Sequence, residues 1–307
     1  MIPATSPWRK FFADRIGVAA LVVVAIFLLT ALGMEIYALC CEARQVTPVY
    51  MVSNDLNCHA PPSLHHWCGT DYQGRDVALR ALAGSVSALK VGVISGLIAV
   101  TVGTLLGACA GFFGGRFDDF TVWLYSVFSA MPTLLFILAF ALLVSQQFLS
   151  PPLLKLFRGC ASLLHVEPGM LGVYIAIGFT GWIGLCRVIR SETMKLKSRP
   201  FVDAARCAGA GSFTIIRRHI LPNVFHLVII YFTTLFAGAI MLEVIASYLG
   251  LGAQNFPSWG VMISDGQQRL WAGVWWELAT ASTMLFILVL ALNILGDALA
   301  AALDPRR

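Results

Sequence analysis

Charge-free apolar runs alternate with short polar and basic segments along almost the whole of this chain. As a helix, about 20 apolar residues cross a ~30 Å hydrocarbon core. Six runs approach or exceed that length: residues 16–34, continuing to about 39; 91–115, fenced by Lys90 and Arg116; 120–145; 168–186; 221–242; and 278–296. A seventh charge-free stretch, residues 244–264, carries Gly250, Gly252, Asn255 and Pro257. Such residues leave backbone groups that lipid cannot satisfy, so this stretch is read as a buried loop or a partly inserted segment. The pattern predicts an all-α polytopic membrane protein with six transmembrane helices.

Composition removes the alternatives. Of the 307 residues, 58% are hydrophobic and only 12% charged, whereas a soluble domain averages roughly 25% charged. A soluble domain, a disordered chain, a coiled coil and collagen are all excluded. The formal net charge of +5 is small and dispersed, which does not argue for nucleic acid. Arg9, Lys10 and Arg15 precede the first run as in a secretory signal. That run exceeds the roughly 7–15 apolar residues of a signal core, and no small-x-small cleavage site follows it cleanly, so it is read as an uncleaved helix. With the N-terminus inside, fourteen basic residues fall on inner segments and seven on outer ones. That asymmetry follows the positive-inside rule, and both termini are expected in the cytoplasm.

The cysteines divide by side. Cys58, Cys68 and Cys160 are expected outside, Cys40 and Cys41 near the outer boundary, and Cys109, Cys186 and Cys207 in or inside the membrane. Cys58 and Cys68 flank His59, His65 and His66, but the spacing matches no standard zinc pattern. No metal site is assigned. A disulfide between them in an oxidising outer compartment fits better than a metal site, and unpaired thiols are the plainer reading; the sequence leaves the two open.

The inner loop, residues 187–223, holds the most legible chemistry. Pro200 suits a first helical position, and Asp203 falls in the first turn, where a carboxylate complements the helix dipole. Ala204, Ala205 and Ala208 keep this helix slim, so that another surface can approach closely. Gly209 and Gly211 end it. Ser212 is placed to cap a second short helix running to about Ile220, and Pro222 blocks its continuation and starts the fifth span. Two short helices joined by a glycine elbow make a docking element for a partner. A basic loop resting on anionic headgroups is the plainer alternative.

Asp203-Ala204-Ala205, then Gly209, then Leu221-Pro222 after eleven intervening residues, resemble the EAA loop of ABC-importer permeases. Three further blocks resemble the oligopeptide/dipeptide branch of that family. They are Gly69-Thr70-Asp71 with Gly74-Arg75-Asp76, preceded by His66; Tyr248-Leu249-Gly250-Leu251-Gly252 with Ser258-Trp259-Gly260; and Asn293-Ile294-Leu295-Gly296-Asp297 with Leu303-Asp304-Pro305. The ordered set resembles the C-type permease subunit of oligopeptide importers. Two departures stand out. Ala279-Thr280-Ala281-Ser282 occupies a region where a Pro-Gly is usual, and Ala300 or a neighbour replaces the usual arginine after Gly296-Asp297.

The resemblance implies a type I ABC-importer permease architecture in the bacterial inner membrane. Residues 1–85 would hold the tail, first helix and outer segment, and residues 86–307 a five-helix core. It further implies that Asp203, Ala204, Ala205, Gly209, Leu221 and Pro222 form the coupling element seated on an ATPase, with Asp203 in place of the usual glutamate. No GxxxxGK[ST] phosphate loop occurs, since none of the five lysines follows a glycine. ATP and Mg are therefore expected on one or two separate ATPase chains, and this chain is not expected to be an enzyme or to carry a cofactor. A second permease, homologous or another copy, would complete the pore. An extracytoplasmic binding protein would deliver an oligopeptide or dipeptide, with nickel or metallophore chelates and glutathione as alternatives.

Ionisable groups near spans are costly and tend to face protein or water. Glu243, at the outer end of the fifth run, is the candidate for gating or substrate contact; the alternative is a boundary carboxylate bonded to the 250–252 loop. Lys90 is expected to snorkel outward, and His226 to be interfacial. Gly172, Gly178, Gly181 and Gly184 predict close helix packing in the fourth run. The sequence shows neither the mid-span acids and internal repeat of a secondary transporter nor an intramembrane nucleophile–base pair.

Overall fold

The computed structural model describes residues 7–145, 148, 150–251 and 256–303. Among them every regular element is helical, apart from one isolated bridge between Thr70 and Asp76. In chain order they are α1 (Pro7–Ala13), α2 (Arg15–Ala43), α3 (Val77–Phe113), α4 (Gly115–Ala130), α5 (Thr133–Ser145), α6 (Pro151–Leu163), α7 (Pro168–Lys197), α8 (Pro200–Cys207), α9 (Ser212–Ile215), α10 (Leu221–Tyr248), α11 (Trp259–Arg269) and α12 (Trp276–Leu303). Five helices are long and apolar enough to cross a membrane: α2, α3, α7, the stretch Ser212–Tyr248, and α12. The bent pair α4 and α5 makes up to a sixth. The six apolar runs thus fall on five long helices and one bent pair, which counts as the sixth crossing when the pair is taken as one span.

The break lies inside the run expected at residues 120–145. Met131 is extended at φ −83°, ψ 132°, as a residue before proline must be. Pro132 supplies no N–H to the preceding turn, and α5 restarts at an angle of 88° to α4. Elsewhere the helices outrun the apolar runs. α3 begins at Val77, so Lys90 and both residues of the expected 85/86 division lie within a helix. α7 continues past Cys186 to Lys197. α12 is unbroken through residues 279–282, where the usual Pro-Gly is missing.

The fifth crossing corrects the expectation placed on Pro222. The chain passes from α9 through a π turn, Ile216–Ile220, directly into α10. The wider turn puts the proline at the first turn of α10, where its missing N–H costs no ladder bond. Pro222 therefore accommodates a helix that is already running. The cap position before α9 is held by Gly211, and no side-chain cap bond forms there, so the capping assigned to Ser212 is not realised.

The core is the pair α3 and α7. A Cβ added to Gly103, Gly107 or Gly111 of α3 would lie 2.8, 2.7 or 2.6 Å from the carbonyl oxygens of Trp182, Cys186 and Arg190 respectively. The two backbones meet directly, which only small residues permit. The α7 glycines foreseen for close packing also serve: a Cβ on Gly178 would meet Ile98, one on Gly181 Leu235, and one on Gly184 the Tyr231 hydroxyl. α10 packs on α3 and α7, and α2 packs on α12 and α3. The stretch expected at residues 244–264 as a non-spanning segment divides into the end of α10, a turn at Gly250, and the short α11. Trp259 of α11 is buried, and its Nε1–H donates to the Ala81 carbonyl at 2.8 Å. Gly252 and Asn255 in that stretch, and Asp304, Pro305, Arg306 and Arg307 at the C-terminus, lie outside the described residues.

Candidate functional site

α8 follows directly on α7. Arg199 is its extended N-cap residue, and Pro200 opens the helix where no N–H is needed. Val202 is the anchor. It is fully buried among Phe112 at the end of α3, Leu185 and Ile189 of α7, and Ile215, Ile216 and Ile220. Ala205 and Leu221, sixteen residues apart in sequence, pack on this same cluster. Asp203, Ala204, Gly209 and Pro222 are exposed. The coupling-motif residues therefore split into two that root the element and four that face outward.

The elbow closes by backbone bonds. The Gly209 N–H donates to the Arg206 carbonyl at 2.9 Å, and the Ala210 N–H to the Ala205 carbonyl at 3.0 Å. These are the paired bonds of a Schellman motif, with Ala210 and Ala205 as its apolar contact. The motif requires a left-handed residue, and Gly209 has φ +82°. Gly211, by contrast, has ordinary extended backbone at φ −67°, ψ 156°. Arg206 Nη1 meets Asp203 Oδ1 at 3.0 Å, and its guanidinium also lies 5.8 Å from the centre of the Phe112 ring. The Asp203 carboxylate is thus a first-turn charge paired along its own helix.

Between α5, α7 and α10 lies a groove of about 220 Å³ lined by Thr133, Thr180, Gly181, Tyr231, Thr234 and Gly238, with aliphatic residues between them. Its lining carries hydroxyls and no formal charge. At the end nearest α8, Arg190 of α7 grips Asp118 of α4 with two parallel bonds, Nη2 to Oδ2 at 2.5 Å being one. Arg187 lies 4.7 Å over the Tyr125 ring. The broken crossing is thereby tied to the helix that continues toward α8.

A family model described as the binding-protein-dependent transport system inner membrane component matches residues 103–307. The chain belongs to this family. It is a multi-pass inner-membrane permease subunit of a binding-protein-dependent importer. It is 32% identical to the dipeptide transport system permease protein of Bacillus subtilis, over 97% of this chain and 84% of that protein. It is likewise 32% identical to the oligopeptide transport system permease protein of Haemophilus influenzae, over 97% of this chain and 87% of that one. The glutathione transport system permease protein of Pectobacterium atrosepticum is 30% identical over 97% of this chain and 90% of that protein.

At the end opposite α8, the permease is held by a buried ionic lock that sequence reasoning did not foresee. Arg80 is 4% exposed and Asp71 and Glu277 are wholly buried. Arg80 Nη1 donates to Asp71 and, at 3.1 Å, to Glu277 Oε1. Asp71 also takes Arg75 Nε at 2.6 Å and the N–H groups of Gln73 and Arg75, each at 2.8 Å. The Trp276 indole donates to the Thr70 carbonyl at 2.9 Å, and His66 Nδ1 meets Asp76 Oδ2 at 2.9 Å. The GTDxxGRD block is therefore a clasp joining the segment before α3 to the start of α12. Nearby on α11, burial pushes the Asp265 carboxyl above its ordinary range, against the opposing pull of Arg80, Arg269 and Arg75.

Glu243 is buried and accepts Ser247 Oγ at 2.6 Å and Ser258 Oγ at 2.9 Å. It braces α10 to the start of α11 and does not line the groove. Lys90 extends to donate to Glu35 Oε1 at 2.6 Å and to the His165 carbonyl, in the segment between α6 and α7, at 2.9 Å. The pair is partly shielded, with about a fifth of each side chain exposed, and ties α3 to α2. Cys58 and Cys68 stand as free thiols, so the disulfide is not formed. Among the described residues, no three His, Cys, Asp or Glu side chains are grouped to hold a metal ion.

Proposed function

We propose that α8 is the surface through which the permease couples to a separate ATPase on the cytoplasmic side, and that the groove between α5, α7 and α10 is its half of a peptide path. The observation that carries the coupling role is the way α8 is mounted. Val202 roots it among the ends of α3, α7 and α9, while the Gly209 elbow holds Asp203, Ala204 and Cys207 outward. A displacement of α8 by a docked partner is thereby delivered to three helices at once. ATP and its Mg would sit on that partner, since this chain carries no phosphate loop.

The positive-inside count supports placing α8 and both termini in the cytoplasm. The open side of the groove would be completed by a second permease, homologous or identical, and a binding protein would deliver substrate at the far side. The relatives carry dipeptide, oligopeptide and glutathione in their names, which supports a peptide substrate. Hydroxyls without fixed charge suit a path that passes varied side chains without trapping any. Glu243 acts in this reading as a brace of the outer end, not as a contact for substrate.

Cys207, exposed on α8, is a natural handle for the test. A short heterobifunctional reagent, thiol-reactive at one end and photoreactive at the other, should on illumination of the assembled transporter join Cys207 to the ATPase subunit, and Cys207→Ala should abolish the adduct. An impermeant maleimide should reach Ser198→Cys only after cells are permeabilised. Failure to crosslink in an assembly that still hydrolyses ATP would refute the coupling role, and labelling of position 198 in sealed cells would refute the orientation.

A further inference from the structure

We infer that α6 is an interfacial helix, seated in the membrane leaflet on the side opposite α8 with its apolar stripe toward acyl chains and Lys155 and Arg158 toward phosphate headgroups. α6 precedes α7 and α8 follows it, so the crossing helix α7 separates the two. The inference rests on the crossings themselves and is independent of the coupling role proposed for α8.

Three faces can be distinguished at 3.6 residues per turn. Leu154, Phe157 and Ala161 form one face, half-buried or buried, which leans on the protein. Leu153, Leu156 and Leu163 form a second and are 46%, 64% and 79% exposed, with Cys160 exposed between them. Lys155, Arg158 and Ser162 lie on the third, nearly opposite the exposed leucines, and all three are exposed. A helix standing free in water would not gain from a bare leucine stripe; a helix lying in a bilayer boundary has this pattern.

The seat of α6 agrees. The Phe157 ring lies 6.5 Å from that of Phe140 in α5. α6 is thus folded back alongside an apolar membrane helix, as an interfacial helix leaning on a transmembrane bundle is. Along the exposed stripe runs a shallow trough of about 520 Å³ lined by Pro152, Lys155, Leu156, Gly159, Cys160 and Leu163. Its chemistry suits an acyl segment beneath a cationic rim. No carboxylate among the described residues pairs with Lys155 or Arg158, so their charges remain for an anionic lipid. Phe148, just before α6 and 79% exposed, adds an aromatic at the same boundary.

The assembled transporter, reconstituted in bilayers containing phosphatidylglycerol, provides the test. A nitroxide is placed on Cys160, with exposed Cys40, Cys58 and Cys207 replaced by serine, and its relaxation by oxygen is compared with that by a water-soluble nickel chelate. Oxygen should dominate several-fold at Cys160, and the order should reverse for a nitroxide at Lys155→Cys in a Cys160→Ser background. Reversing both charges, Lys155→Glu with Arg158→Glu, should lower the oxygen-to-nickel ratio at Cys160 several-fold in anionic bilayers. Dominance of nickel at Cys160 would place the stripe in water, and shielding from both reagents would mean a protein covers it; either result overturns the inference. On the unmodified transporter, lipids bearing a photoreactive group in the acyl chain should label the peptide containing Leu156 and Leu163, and its absence from the adducts would have the same force.

Discussion

Gly209 and Gly211 offer a controlled comparison within one elbow. A Cβ added at either position meets no atom within 4 Å, so bulk alone distinguishes nothing. The difference is conformational: only Gly209 is left-handed, at φ +82°. A side chain there costs about 1–2 kcal/mol, and a β-branched one is the least tolerated. That cost must be set against what holds α8 in place. The helix has eight residues and one fully buried side chain, Val202, whose burial is worth about 1.5–3 kcal/mol. The two quantities are comparable, so Gly209→Val should lower the ratio of seated to unseated elbow by a factor of about 5–30. Gly211→Val should leave it nearly unchanged. In proteoliposomes containing the whole transporter, substrate uptake and substrate-stimulated ATP hydrolysis should fall together for Gly209→Val and remain near wild type for Gly211→Val. Membrane levels of the two variants should be similar, because the elbow is not itself a crossing helix. Equal impairment of both would show that bulk on a docking face, not backbone handedness, is responsible. Wild-type behaviour of Gly209→Val would remove the elbow from the coupling account.

Asp203 is an exposed first-turn charge paired with Arg206, so its contribution is limited to about 1 kcal/mol. Uptake should be near wild type for Asp203→Glu, lower for Asp203→Asn and lowest for Asp203→Lys; a failure of Glu as severe as that of Lys would contradict helix electrostatics. Arg80→Met strands the buried carboxylates Asp71 and Glu277 and should destabilise the permease by about 3–5 kcal/mol, seen as a lower thermal midpoint in detergent and less protein in the membrane. Loss of the exposed Arg206 to alanine should cost far less by the same measurement. Asp265 is raised by burial, so its protonated form is favoured by folding; that contribution is complete below the ordinary carboxylate range and is lost as pH rises through the folded value. Asp265→Asn should therefore raise the thermal midpoint near neutral pH, with the gain disappearing in acid; a gain independent of pH would point to another cause.

The sequence by itself determined the solvent of this protein and most of its order along the chain. Lipid demands runs of about 20 apolar residues, and that demand is local, so the crossings near residues 16–39, 168–186 and 278–296 were legible as strings. The elbow was legible for the same kind of reason, since Pro200 and Gly209 act on their own backbone dihedrals. Gly103, Gly107 and Gly111 are spaced by four in α3 and so share one face, but only the packed α7 shows that this face takes a backbone. Tertiary structure decided what depends on partners distant in sequence. Val202 becomes an anchor only because Phe112, Leu185 and Ile220 converge on it. Arg80 looked like one more outer cation until Asp71 and Glu277, the latter 197 residues away, enclosed it. The 88° break at Pro132 also escaped the reading, because hydropathy averages over a run and does not register a single missing N–H. The partner of Lys90 was equally beyond the string: a charge marks the end of an apolar run, but only the packing of α2 on α3 brings Glu35, 55 residues away, within reach of it.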